Sequence, residues 1–331
     1  MILLALSTAL FLALMLGRNN LSNLFGPAIG TRMIPFQTGV LIASLCVLAG
    51  AVLSGNATTQ NVSRLGILTS PSDILILCIS AGVILFILTR TGIPASITQT
   101  TTGAYIAWNL FYHQPLPKTL LIQTISAWIY TPIIAGILAF LGLKFVRWFF
   151  KRFVIHLLIR DKMIRIGLLC VGAFSAYALG ANNIGSIIGP FMYILHDVSH
   201  FLFYLAGLII AVGFCFADKK VIKTVSSEMF PLTPAEALVV VFMSAFTLIL
   251  FSSIELKNIL SSLSLPSFPL VPVPLSSVSI GAIFGIALSK GITGLKFKRA
   301  GSVVCSWFIA PIGAGIICYG LLYLFVLGDI K

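Results

Sequence analysis

The chain has 331 residues, of which 59% are hydrophobic and only 9% charged, against about 25% charged in an ordinary soluble domain. Apolar runs near the roughly 20 residues needed to cross a bilayer recur along its whole length, which excludes a soluble globule and identifies an all-α polytopic membrane protein. The net charge of +13 does not point to nucleic acid, because the basic residues sit in short loops between spans, where they hold those loops in the cytoplasm.

Residues 2–16 have no preceding basic region and no small-residue cleavage pattern, so they are expected to stay as a span and not to be removed as a signal peptide. Apolar segments fall near 2–17, 36–54, 73–89, 94–112 and 119–143. They resume near 166–180, 200–217, 235–254, 275–289 and 302–327. The first segment ends in Gly17-Arg18-Asn19-Asn20-Leu21-Ser22-Asn23-Leu24-Phe25-Gly26-Pro27. The sixth ends in Gly180-Ala181-Asn182-Asn183-Ile184-Gly185-Ser186-Ile187-Ile188-Gly189-Pro190, 163 residues further on. Such a duplication fixes the fold before anything else does. An odd number of crossings per half turns the second half over, giving an inverted repeat of two five-segment halves, 1–143 and 166–331, with broken or hairpin segments at the midplane. With the N-terminus outside, seventeen Lys and Arg fall on the inner side, and Arg64, Lys118, Lys257 and Lys331 fall outside. This bias places both termini outside and the linker 144–165 in the cytoplasm of a multi-pass plasma-membrane protein.

Gly, Asn and Ser are poor helix formers, so each Gly-x-Asn-Asn stretch is expected to break its span and present backbone and amides to a ligand. In the linker, Lys144, Arg147 and Lys151 share one helical face, which predicts an interfacial helix on anionic lipid. The fourth segment of each half is polar where lipid-facing residues belong: Gly92-Ile93-Pro94-Ala95-Ser96-Ile97-Thr98-Gln99-Thr100-Thr101-Thr102-Gly103, and Pro272-Val273-Pro274-Leu275-Ser276-Ser277-Val278-Ser279-Ile280-Gly281. Irregular backbone at that depth is tolerated only where it lines a cavity, so both segments are expected to meet the Asn-Asn motifs near mid-bilayer. The six cysteines are scattered in apolar runs without a Cys-x-x-Cys, which indicates neither disulfides nor zinc. His196 and His200 have an i,i+4 spacing but no third ligand, and read as interfacial residues. No metal site is expected.

These residues resemble the inorganic phosphate transporter (PiT) family. Its duplicated Gly-Ala-Asn-Asp-x-Ala-Asn element is matched at 17–23 and 180–186, and its Pro-x-Ser-x-Thr element by Pro94, Ser96 and Thr98. Ile222-Lys223-Thr224 followed by Leu232-Thr233-Pro234 resembles the second-half loop of that family. The resemblance implies a secondary transporter whose two motifs line a tetrahedral oxyanion site, with sodium or protons as coupling ion, and a homodimer. The departures are specific. Asparagine stands for the family's aspartate at Asn20 and Asn183, Arg18 for its first alanine, and Gln99 where histidine is common. In the second half either Pro272 or Pro274 could head the Pro-x-Ser element, which nominates the Ser276/Ser277 region.

A tetrahedral dianion needs converging donors, and amides, hydroxyls and free N–H groups supply them. The substrate-binding candidates are therefore Asn19, Asn20, Asn23, Ser96, Thr98, Asn182, Asn183, Ser186, Ser276 and Ser277. Arg18, Gln99, Arg90 and Lys290 are candidates for a gate or for anion attraction. All eight acids fall in loops or near membrane boundaries, so no carboxylate stands at mid-depth as a sodium ligand or proton relay. Coupling is accordingly read as H+ or Na+, with protons favoured and no cofactor needed. Phosphate stands ahead of sulfate as substrate, and an anion channel is the further alternative. The acids are peripheral and the histidines dispersed, so no enzyme site is expected.

Overall fold

The structure is a computed structural model describing residues 1–153, 156–195, 200–292 and 294–329. Its first half comprises α1 (Ile2–Leu24), α2 (Gly26–Gly30), α3 (Phe36–Ser54), α4 (Asn56–Ser63), α5 (Pro71–Arg90), α6 (Ile97–Phe111) and α7 (Lys118–Arg152). The second comprises α8 (Leu157–Asn183), α9 (Gly185–Ile188), α10 (His200–Cys215), α11 (Lys219–Lys223), α12 (Pro234–Leu250), α13 (Ile254–Ser262), α14 (Leu275–Ser289) and α15 (Phe297–Asp329). There is no β-strand among the described residues. Among the described residues six helices are long and apolar enough to cross a membrane. Two more spans arise if α10 with 219–228, bent by 74°, and α12 with α13, bent by 66°, each count as one. The outward faces suit lipid. Ile129, Ile133, Ile137 and Leu141, one turn apart on α7, are all more than half exposed.

The two halves pack as mirror partners in sequence. Helix α1 lies against α10 as α8 lies against α3, and α6 against α15 as α14 against α7. The contacts repeat residue by residue. A Cβ on Gly17 would stand 2.1 Å from the Ile210 carbonyl oxygen, and one on Gly180 would stand 2.2 Å from that of Val47. Gly17 and Gly180 are 163 residues apart, and so are Val47 and Ile210. Likewise Gly103 admits the Pro311 carbonyl oxygen, and Gly281 that of Pro132, each at 2.1 Å from the site of a Cβ. Helices this close need a residue without a side chain at the crossing. These pairings establish the inverted repeat. The sequence offset grows from 163 to 178 between α12 and α14, and α13 occupies the inserted length.

Two expectations change. The Gly-x-Asn-Asn stretches do not break their helices: α1 runs on to Leu24 and α8 to Asn183, with the breaks at Phe25 and Ile184. Asn20 is accommodated in the helix because its Nδ2 donates to the Leu16 carbonyl at 3.1 Å, and buried neighbours Leu16, Leu21 and Leu24 hold the turn. Weak propensity yields to packing. Nor do residues 144–165 form a helix of their own. Residues 144–152 are the last turns of α7, and 157–165 the first turns of α8. The exposed Phe145 and Trp148 lie on that α7 extension. The His196 reading lies outside the described residues.

Helices α6 and α14 each have 15 residues, or about 22 Å of rise, short of the roughly 30 Å hydrocarbon core. Extended backbone at Ser96 and Pro274 leads into each. Both are thus half-extended, half-helical segments, as the clustered proline and hydroxyls require.

Candidate functional site

Each broken segment is pinned by the first amide of one motif. Asn19 Oδ1 accepts from the Ala95 backbone N–H at 3.1 Å, and Asn182 Oδ1 from that of Val273 at 2.8 Å. Ala95 and Val273 stand 178 residues apart, as do Gly103 and Gly281. That spacing settles the second-half register. Pro272 takes the place of Pro94, Ser276 that of Thr98, and Pro274 the N-cap place filled by Ser96. Asn19 is held further, its Nδ2 donating to Thr89 Oγ1 at 2.8 Å. Asn182 Nδ2 has no protein partner.

The remaining candidates gather around these pins. Helix α1, which carries the first motif, touches α8, α9 and α14, and α6 touches α9, so elements of both halves meet around the two pins. All ten substrate-binding candidates are at most 4% exposed. Asn23 Nδ2 donates to Asn20 Oδ1 at 3.1 Å, and the Ser96 and Thr98 hydroxyls share a 2.8 Å hydrogen bond. Asn23 Oδ1, Asn183 Nδ2, both polar atoms of the Gln99 amide, and the Ser186, Ser276 and Ser277 hydroxyls are buried without a protein partner. The surface hollows are lined by other residues. Side chains from both halves bury every one of these candidates away from solvent.

Among the described residues no carboxylate hydrogen-bonds to the cluster. The buried acids Asp73 and Glu236 sit in the first turns of α5 and α12, 163 residues apart. Asp73 accepts from the Tyr112 hydroxyl at 3.0 Å. Glu236 closes a capping box with Thr233 and lies 3.0 Å from Lys290 Nζ. The cationic candidates are engaged elsewhere. Arg18 pairs with Asp218 at 3.3 Å, Lys290 with Glu236, and the exposed Arg90 lies over the Phe86 ring. Among the described residues no group of three or more His, Cys, Asp or Glu is arranged to hold a metal.

Two small caps flank the site. On one side Thr224 Oγ1 donates to the Gly92 carbonyl at 2.7 Å. On the other Asn61 Nδ2 donates to the Leu270 carbonyl. Thr224 lies 163 residues after Asn61, and Leu270 lies 178 after Gly92, so the two bonds are symmetry mates. The Thr224 cap alone carries an ionic group. Arg299 Nη2 donates to Thr224 Oγ1 at 2.8 Å and to the Gly92 carbonyl at 3.2 Å, and its Nε lies 3.2 Å from Glu228 Oε2. Lys223 pairs with the same carboxylate at 3.2 Å. Sequence reasoning missed Arg299, Glu228 and Asn61. Extending the duplication residue by residue would have exposed the Asn61–Thr224 correspondence.

The model of the phosphate transporter family matches residues 16–160 and again 156–318, one match per half. The sulfate permease CysP of Bacillus subtilis is 26% identical, over 98% of this chain and 88% of its own. A Haemophilus influenzae protein named provisionally as a phosphate permease is 23% identical over 92% of each chain. A solved structure, the sodium-dependent phosphate transporter, superposes with a TM-score of 0.80 over 98% of this chain and 99% of its own, at 17% identity, which speaks to the fold. The chain is a multi-pass membrane transporter and belongs to the phosphate transporter family.

Proposed function

We propose that the chain is a secondary permease carrying an inorganic tetrahedral oxyanion, phosphate first, across the cell membrane by alternating access. One observation carries this reading: the buried amides and hydroxyls drawn from both halves that have no protein partner. Each such group left unsatisfied costs about 1–3 kcal/mol, a cost that an anion offering several oxygens relieves. Asn183, Ser186, Ser276 and Ser277 supply donors. Asn23 Oδ1 and Gln99 Oε1 supply uncharged acceptors for the proton on hydrogen phosphate. The family's own description supports phosphate.

Sulfate is the second reading, and a specific feature favours it. The positions of Asn20 and Asn183 hold no carboxylate to take a substrate proton, and sulfate brings none. A relative of this chain is named a sulfate permease. The same neutrality bears on coupling. Without a carboxylate in the cluster, a proton carried on the substrate is the simplest co-transported charge, while sodium held by neutral carbonyls and amides is the competing arrangement. The deciding experiment is uptake of labelled phosphate into proteoliposomes under separate sodium and pH gradients, with unlabelled sulfate as competitor. Strict sodium dependence removes proton coupling, and sulfate competing better than phosphate itself makes sulfate the substrate. Failure to concentrate either anion rejects the permease.

A further inference from the structure

We infer a second anion site, formed by Arg64 and Lys257 on the face opposite the basic cytoplasmic loops, which captures inorganic phosphate or sulfate before it reaches the buried cluster. This inference rests on the transport reading above. Between α4 and α13 lies a hollow of about 270 Å³ lined by Asn56, Gln60, Asn61, Arg64, Lys257 and Asn258, with no acid in its wall. Both cations are exposed, and neither has an ion pair among the described residues. The two cations share this one hollow, whose remaining polar lining is amide. Glu255, the acid on α13, borders a different hollow and accepts from the Ser253 hydroxyl at 2.9 Å. Arg64 also borders a larger hollow of about 620 Å³, but Asp73 lines that one, which makes it the poorer place for an anion.

The hollow is coupled to the transport site by a single helix. Asn56, Gln60 and Arg64 recur every four residues and so share one face of α4. The buried face of the same helix carries Thr58 and Val62. Thr58 Oγ1 donates to the Ala181 carbonyl at 2.8 Å. A Cβ on Gly185 would meet the Thr58 backbone at 2.7 Å, and one on Gly189 would meet Val62 Cγ1 at 2.9 Å. Asn61 binds the Leu270 carbonyl, in the segment that leads to α14. An anion held by Arg64 and Lys257 thus sits one helix thickness above the second motif, against the cap that must move to admit it. Two positive charges and three further amides (Asn56, Gln60 and Asn258) match a divalent oxyanion that keeps part of its water shell.

The test is initial uptake by intact cells as a function of external anion concentration, for the wild type, R64Q/K257Q and R64K/K257R. At low ionic strength the double glutamine variant is expected to raise the half-saturation concentration about threefold to tenfold, with the ceiling rate changed less than twofold. High salt is expected to erase the difference. The R64K/K257R variant retains wild-type values. A half-saturation concentration unchanged in R64Q/K257Q at low ionic strength overturns the site. A wild type that takes up neither anion rejects the transport reading instead. In that event line broadening of inorganic phosphate in 31P spectra of the purified protein reads the pocket directly. Broadening that is lost in R64Q/K257Q but kept in N183L supports the site, and broadening indifferent to R64Q/K257Q overturns it.

Discussion

Replacing either pinning asparagine with leucine, which has nearly its shape, separates structural amides from ligand-facing ones. In Asn182→Leu the Val273 N–H loses its acceptor, and a buried donor left unpaired costs about 1–3 kcal/mol. Nothing is lost on the donor side, since Asn182 Nδ2 has no protein partner. In Asn19→Leu the Ala95 N–H is stranded in the same way, and the bond to Thr89 is lost as well. Thr89 still donates to the Leu85 carbonyl at 2.6 Å, so that second loss is only about 0.6 kcal/mol, the average for hydrogen bonds between membrane helices. At about 2 °C per kcal/mol for a chain of this size, Asn182→Leu is expected to melt roughly 2–6 °C low in detergent. Asn19→Leu should melt about 1 °C lower still. Fluorescence-detected melting with both variants in parallel reads this. If Asn182→Leu melts at the wild-type temperature, or Asn19→Leu proves the milder change, the pinning argument is wrong.

The unpartnered amides should behave in the opposite way. Asn183→Leu removes an Nδ2 with no protein partner, so it is expected to cost under about 1 kcal/mol of stability while lowering anion uptake at least tenfold in proteoliposomes. Gly180→Ala puts a methyl 2.2 Å from the Val47 carbonyl oxygen and is expected to cost about 1–3 kcal/mol by overpacking. Gly320→Ala, with nothing within 4 Å, serves as the silent control in the same melting assay. Arg299→Met removes the cation from the Thr224 cap, and a maleimide should then alkylate a Ser226→Cys reporter about fivefold to tenfold faster. That factor follows from charge-assisted bonds discounted for partial exposure, and an unchanged alkylation rate refutes the cap.

Much of this architecture was legible because duplication is a sequence property. The ten apolar segments and the paired motifs follow from periodicity and repetition alone, and each segment became a helix at its expected place. The breaks were misplaced by a few residues for a physical reason. Propensity penalises Asn and Gly in isolation, whereas here Gly17 and Gly180 are the contact points of packed helices and Asn20 bonds its own turn. Nor could pattern reading separate Asn19 from Asn20. They are adjacent and chemically identical, yet one grips Ala95 and the other bonds Leu16 and Asn23. The linker was read as a separate helix because its charges stand out, but helix continuity through 152 is set by the absence of a breaker, not by polarity.

The two caps explain why a symmetric scaffold need not rest symmetrically. On the proposed alternating access, the outward-open and inward-open states are related by exchange of the halves, so a perfect repeat would hold them at equal energy. Only departures from the repeat can bias the equilibrium. The shared bonds, Asn61 to Leu270 and Thr224 to Gly92, cancel in that comparison. The ionic group does not cancel: the positions matching Lys223, Glu228 and Arg299 are Gln60, Leu65 and Leu120, at offsets of 163, 163 and 179. Closing the Thr224 side therefore gains two ion pairs that closing the Asn61 side cannot reproduce. On the orientation proposed from the positive loops, with the Thr224 side facing the cytoplasm, the ligand-free protein is expected to favour a closed inner face. Its unpaired outer cations, Arg64 and Lys257, then stand where the next anion arrives.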